Sequence, residues 1–405
     1  MDSKLTKPTS NDNDLANQMR GWFSRLVPDF KPIETGSNQP AECESPESPD
    51  LKPSKSDDEA TTDSTTGSDK IRDSSWPGSI SGWVQSSLLG LEVPLQSVSK
   101  SAMACEFEVL LNERQYPLGV EVAFECMEMI EHIEDLLSVY RASSQFSKIN
   151  QFGGERSVYV DPKTLELVLL AQAAYAWTEG CFDMTAGSLS EAWGFSRRQG
   201  AMPTQQQIDA ALEFVGSQFI QIDQAQSTIH LSRPGVKLNP GGIGKGYAID
   251  RAVKILLRAG INDFMIHGGL SSIAARGKRQ GVDSDWTVAL KHPWRTEELI
   301  ETIPLRDKAI GTSGSGKQFF HFNGRRYSHI IDPRTGWPAQ QMMSVTVVCP
   351  SCAIADAVAT GLFVMGVEKS VEFCERFSDV AAVLIFQDAK SGSQRIEHLN
   401  WNLID

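Results

Sequence analysis

Asp356 and Thr360 stand four residues apart in Ala353-Ile354-Ala355-Asp356-Ala357-Val358-Ala359-Thr360-Gly361-Leu362, a stretch whose composition predicts a helix. At that spacing two side chains share a face, with Cβ atoms about 5–6 Å apart, so a carboxylate and a hydroxyl can point at the same hard cation. Magnesium prefers oxygen ligands, takes one or two from protein side chains, and completes its shell with substrate phosphate and water. An Asp in so apolar a segment also needs compensation for lost hydration, which a metal would supply. The plainer alternative is an Asp that caps the helix or faces solvent.

Phosphate chemistry is the companion of such a cation. Asn239-Pro240-Gly241-Gly242-Ile243-Gly244-Lys245-Gly246-Tyr247-Ala248-Ile249-Asp250 offers it, with four glycines and a lysine where a loop runs into an amphipathic helix. Glycines at positive φ would let the backbone approach a ligand, the N–H groups of the helix start favour an anion, and Lys245 adds a full charge. Two familiar phosphate loops do not fit. A Walker loop needs Ser or Thr after its lysine, where Gly246 stands, and the dinucleotide fingerprint counted from Gly242 and Gly244 meets its third glycine one residue early. A tight turn at a helix end is the competing reading.

His329 lies in Arg326-Tyr327-Ser328-His329-Ile330-Ile331-Asp332-Pro333-Arg334-Thr335-Gly336, at the end of a strand and before a turn. It titrates near neutrality and could take a proton from an attacking hydroxyl, although a single His is more often structural. Thr312-Ser313-Gly314-Ser315-Gly316 reads as a flexible, hydroxyl-rich loop able to bind phosphate, or as plain linker. Cys349-Pro350-Ser351-Cys352 sits between a strand and a helix, where thioredoxin-like folds carry a redox dithiol. No thioredoxin-sized domain or Trp-containing motif surrounds it, and one pair cannot complete a four-cysteine zinc site.

The elements that must position these groups follow from periodicity. Val122, Phe124, Met127, Ile130, Ile133, Leu136, Leu137 and Tyr140 recur at helical steps, and a second helix runs from Pro162 to Thr178, ended by Gly180. Ser143 to Asn150 reads as a loop and short turn. Thr204 is an N-cap for a helix through Phe214, strands near 219–222 and 228–231 form a hairpin, and a helix spans Tyr247 to Arg258. Strands follow at 264–266, 286–290, 319–322 with an Asn323-Gly324 turn, 344–348 and, last, 381–386; helices span Ala353 to Val364 and Glu368 to Phe377. Mixed strands and helices without regular alternation predict an α+β fold.

The 405-residue chain, 40% hydrophobic, holds enough apolar material for a sizeable core. Residues 1 to about 75 are instead rich in Ser, Thr, Pro, Asp, Glu, Lys and Asn, and predict a disordered tail. We expect the tail to reach residue 97 and one large mixed domain to fill 98–405; Met19 to Val27 is a short apolar and basic island within the tail, to which no function is assigned. The net charge of −13, with no basic cluster, disfavours nucleic acid while allowing a phosphorylated ligand held by magnesium. Seven scattered cysteines suit reduced thiols, and no hydrophobic leader, lipid-bearing Cys or membrane span is seen, so the expected location is cytoplasmic.

Taken together the segments resemble the FAD:protein FMN transferase family, also called the ApbE family, from about Met103 to Phe386. The motifs that carry the likeness are Met103, Tyr140 with Ser143 to Asn150, Phe182-Asp183-Met184-Thr185-Ala186-Gly187 with Trp193-Gly194-Phe195, Gly241 to Asp250, Gly268-Gly269, Thr312-Ser313-Gly314, Ser328 to Pro333 with Thr335-Gly336, and Asp356 with Thr360. The resemblance implies an enzyme that transfers the FMN half of FAD to a Thr or Ser hydroxyl of an acceptor flavoprotein and releases AMP. It implies magnesium ligands at Asp356, Thr360 and the Gly242 carbonyl. Flavin contacts fall at Met103, Tyr140, Cys181, Phe182, Asp183, Asn239, Lys245 and Ile331, and the essential histidine at His329. Magnesium and Lys245 would then neutralise the pyrophosphate while His329 helps remove the acceptor proton. Two departures stand out: many relatives carry Asp at position 239, and Gly-Thr where Ala104-Cys105 stands. Many relatives are also exported lipoproteins, whereas this chain begins with a polar tail. An FAD pyrophosphatase giving FMN and AMP, a flavin-binding protein without turnover, and a dithiol redox protein are the alternatives.

Overall fold

Antiparallel pairing joins nine strands into one sheet, in the order Lys70–Arg72, Leu95–Ala102, Cys105–Asn112, Phe264–Gly268, Ser272–Arg276, Lys308–Gly314, Met342–Cys349, Ala381–Gln387 and Gln394–Leu399. The computed structural model describes residues 70–72 and 94–404, apart from 198–199, 281–283, 317 and 389–390. The disordered-tail expectation and the Met19 to Val27 island fall almost wholly outside the described residues. Leu95 to Ser97, assigned above to the tail, pair with Leu110 to Asn112 and belong to the sheet. Gln96-Ser97-Val98-Ser99-Lys100-Ser101 carries too few apolar residues for its alternation to stand out.

Each face of the sheet buries a different layer. On one side lie the helices Gly119–Leu137, Gly244–Arg258 and Cys352–Met365. The last is buried along nearly its whole length, which explains why it reads as apolar all round instead of amphipathic. On the other side the ribbon Trp286–Lys291 with Leu299–Leu305 covers Leu110, Met265, Ile273, Ile310 and Val383 through Trp286, Val288, Leu290 and Ile303. A three-stranded sheet of Val158–Tyr159, Thr228–Leu231 and Ile220–Asp223 and the helix Pro162–Trp177 complete the α+β architecture.

Local signals account for several boundaries. Asp161 caps the helix that starts at Pro162, accepting from Lys163 N at 2.8 Å, and Thr204 forms a capping box with Gln207. Ser144 caps Gln145–Phe152, so the segment expected as loop is a helix. The Asn323-Gly324 turn has φ of +48° and +74°, as a two-residue hairpin requires. The expected last strand is followed by Gln394–Leu399. Thr312 to Gly314, expected as a flexible loop, lies in a strand flanked on both sides. Gly311 is required there because a Cβ would stand 2.3 Å from the backbone of Ala355. No helix among the described residues is long and apolar enough to cross a membrane.

Candidate active site

The glycine loop and the Asp356 helix meet at their starts. The helix begins at Gly244, so Lys245 and Gly246 belong to its first turn, and Gly246 N donates to Asp356 Oδ2 at 2.9 Å. The expected positive φ is not found at Gly241, Gly242, Gly244 or Gly246. Glycine is needed at 246 for proximity: a Cβ there would stand 2.2 Å from Cys352 O. At 242 a Cβ would lie 3.1 Å from Phe182 Cε2 and 3.4 Å from Thr360 Oγ1, which places that turn beside the hydroxyl.

Asp250, one helical turn beyond Gly246, fixes the second helix from the first. Its carboxylate accepts from Ser351 Oγ at 2.7 Å, Cys352 N at 2.9 Å and Ala353 N at 3.0 Å, filling donors that a helix N-terminus leaves unpaired. Nothing in the sequence distinguishes this role from that of a solvated Asp.

Asp356 is buried among alanines. Burial raises its pKa, while the Lys245 charge, the Ser272 hydroxyl and the Gly246 N–H pull it back down. Lys245 Nζ stands 3.8 Å from Oδ2 and Ser272 Oγ lies 2.8 and 2.9 Å from Oδ1 and Oδ2. The compensation expected from a metal is thus supplied in part by the protein. The sequence offered no signal for Ser272, a single hydroxyl at the start of the short strand Ser272–Arg276. Thr360 Oγ1 donates to Asp356 O at 3.1 Å and lies 2.9 Å from Ser313 Oγ.

His329 follows the hairpin strand Arg325–Ser328. Its Nδ1 faces the carbonyl oxygen of Gln318 at 3.1 Å, so the neutral ring carries its proton on Nδ1 and its lone pair on Nε2. Burial depresses its pKa below the ordinary value and the Lys245 charge does so further, while the Gln318 bond opposes both. Lys245 therefore acts electrostatically on both Asp356 and His329.

The flavin candidates divide. Phe182 is buried beside Gly242, and Asp183 is held by Thr185 N at 2.8 Å and Thr185 Oγ1 at 2.7 Å, with its pKa raised by burial. Asn239 donates its main-chain N–H to Met184 O at 2.7 Å and accepts from Gly241 N at 2.9 Å, so it shapes the start of the loop. Cys181 is buried, with its thiol pushed up to about 11 by burial. Ile331 packs with Leu189, Trp193 and Tyr327 in an aromatic-rich cluster, and Phe195, packed against that cluster, has its ring 6.4 Å from the His329 ring. Met103 and Ala104 form the two-residue turn between the strands ending at Ala102 and starting at Cys105, with φ of +48° and +60°, and Met103 N donates to Glu134 Oε1 at 2.9 Å. Tyr140 is 76% exposed and donates its hydroxyl to Ser196 O at 3.3 Å. Among the described residues no hydrogen bond or ion pair ties Met103 or Tyr140 to the Asp356 group.

The Cys349 and Cys352 pair is not disposed for thiol exchange. Both are free and buried; burial pushes Cys349 up to about 12 and raises Cys352 well above the usual thiol range. Redox thiols need a depressed pKa and access.

Comparison with known proteins decides the lineage: the ApbE family matches residues 103–384. The chain belongs to the ApbE family. It is 34% identical to the FAD:protein FMN transferase of Vibrio cholerae over 256 residues, 62% of this chain and 75% of the relative. Against the FAD:protein FMN transferase of Escherichia coli K12 it is 30% identical over 279 residues, 67% of this chain and 79% of that one. Among solved structures, the ApbE protein of Thermotoga maritima superposes with a TM-score of 0.69 at 28% identity, covering 76% of this chain and 99% of that one. The flavin transferase ApbE of Vibrio cholerae gives 0.68 at 29%, covering 77% and 100%. As a member of this ApbE group the chain is a transferase.

Proposed function

We propose that this ApbE-family chain transfers the FMN moiety of FAD to a Thr or Ser hydroxyl of an acceptor flavoprotein, forming a phosphoester and releasing AMP, with Mg2+ as the metal. The observation that carries the reading is the meeting of Gly242 and Lys245 with Asp356 and Thr360 from two distant parts of the chain, with His329, from a third, under the influence of the Lys245 charge. The curated relatives named FAD:protein FMN transferase support it.

The donor set fits magnesium by its chemistry: a carboxylate from Asp356, a hydroxyl oxygen from Thr360 and the carbonyl of Gly242 are all hard oxygen ligands. Bound there, the cation would supply Lewis-acid neutralisation of the diphosphate. The protein's own groups do the rest. Lys245 adds a fixed positive charge beside the phosphates, preorganised by the helix it stands on. Phe182 and Asn239 shape the wall and the entry of the glycine loop. His329, neutral with its lone pair on Nε2, accepts the proton of the acceptor hydroxyl as that oxygen attacks phosphorus.

The test is to incubate the protein with FAD, Mg2+ and candidate acceptor flavoproteins, then measure intact masses and AMP. A covalent FMN increment on the acceptor with matching AMP supports transfer. Free FMN with AMP and no labelled acceptor identifies a pyrophosphatase, and bound FAD without AMP a flavin-binding protein.

A further inference from the structure

Two serines brace the side chains that the reading above gives to the cation. Ser272 is wholly buried, and its Oγ reaches both oxygens of Asp356, at 2.8 Å to Oδ1 and 2.9 Å to Oδ2. Gly246 N already donates to Oδ2 from the opposite helix. The carboxylate is therefore pinned by donors from two elements, and Oδ1, which shares only the serine hydrogen, keeps the larger part of its acceptor capacity.

Ser313 does the matching work on Thr360. The Asp356 carbonyl can only accept, so Thr360 spends its single hydrogen there. In the Ser313 Oγ to Thr360 Oγ1 contact of 2.9 Å, Ser313 must then be the donor. Thr360 is left with its hydrogen turned back into its own helix and a lone pair to spare. A hydroxyl ligates a cation through its lone pair, so the network holds Thr360 as a ligand and not as a donor.

We propose that Ser272 and Ser313 are positioning residues that set Asp356 Oδ1 and Thr360 Oγ1 for a divalent cation. The proposal rests on the cation reading of the site. Each hydroxyl orients a ligand and neither is itself a ligand, the relationship by which outer groups tune metal sites.

The test compares wild type with Ser272→Ala, Ser313→Ala and Ser313→Thr, all checked as folded by circular dichroism. Mn2+ affinity is read by electron paramagnetic resonance and Mg2+ affinity by calorimetry. Loss of either hydroxyl should weaken cation binding about 10- to 100-fold, the range for outer-sphere partners. Ser313→Thr, which keeps the donor, should restore it, and metal-free FAD binding should stay within twofold. A purely structural role would lower the melting temperature and leave cation affinity untouched. Folded alanine variants that bind Mn2+ as tightly as wild type overturn the brace while the cation reading stands. A wild type that binds neither ion overturns both. Should Ser272→Ala not fold, the Ser313 pair decides by the same criteria.

Discussion

The main-chain N–H of Gly246 donates to Asp356 Oδ2 over 2.9 Å, although 110 positions separate the two along the chain. That bond joins the phosphate-loop signal to the metal-ligand signal at one point. Replacing Asp356 with Asn keeps the shape and removes the charge, so Mg2+ affinity should fall by more than about 100-fold, beyond the loss typical of an outer-sphere change. Calorimetry on the folded variant reads the affinity and AMP release reads the turnover; wild-type values in both would remove Asp356 from the site.

His329 gives a pH prediction whose sign follows from its depressed pKa. The ring is neutral at pH 7, so transfer should be level through neutrality and decline only below about 6.5, the ordinary histidine value. His329→Gln should slow transfer about 10²–10⁴-fold and abolish that acid limb, with FAD affinity retained. A variant that keeps the limb assigns it to another group. Stability follows the same direction: the unfolded histidine takes up a proton that the folded one refuses, so acid favours unfolding from the unfolded pKa down to the folded one.

Glycines 244 and 246, two residues apart, should answer alanine differently. At 246 the added methyl meets the Cys352 carbonyl at 2.2 Å, while at 244 its nearest neighbours stand at an ordinary 3.5 Å. Gly246→Ala should cost about 3 kcal/mol or more, as a forced overpacking against backbone. Gly244→Ala should stay within about 1 kcal/mol, the scale of helix propensity. Denaturant midpoints at constant slope measure both, and equal losses would show that proximity is not why glycine stands at 246.

Cys349→Ser and Cys352→Ser should each leave flavin transfer within about twofold and cost no more than about 1–2 kcal/mol, since each thiol only donates weakly to a nearby carbonyl. Thiol reagents should modify the pair only as the protein unfolds. Loss of transfer with intact folding would return redox chemistry to consideration.

The long stripe from Val122 to Leu137 was readable because burial on one side writes itself into periodicity, and the Asp356 helix because burial all round leaves an unbroken apolar run. Lys308–Gly314 was hidden for the opposite reason. Its glycine at 311 lets a helix backbone lie against the sheet, and small residues chosen for that contact look like linker. The same confusion gave the glycine loop its wrong rationale, since Gly246 is there to let a neighbouring carbonyl close in and not to adopt positive φ. Asp356, Thr360 and His329 stand out as candidates by residue type and spacing. Ser272 and Asp250 could not, because a hydrogen-bond partner distant in the chain leaves no local pattern.

Asp250 grips the opening turn of the helix Cys352–Met365 from within the helix Gly244–Arg258. Sliding either rod lengthwise by one turn, about 5.4 Å, would tear out all three of those donors at once. The two helices therefore carry Lys245 and Asp356 in one common register, and any partner or modification that shifted one helix along the other would first have to break that whole set of bonds.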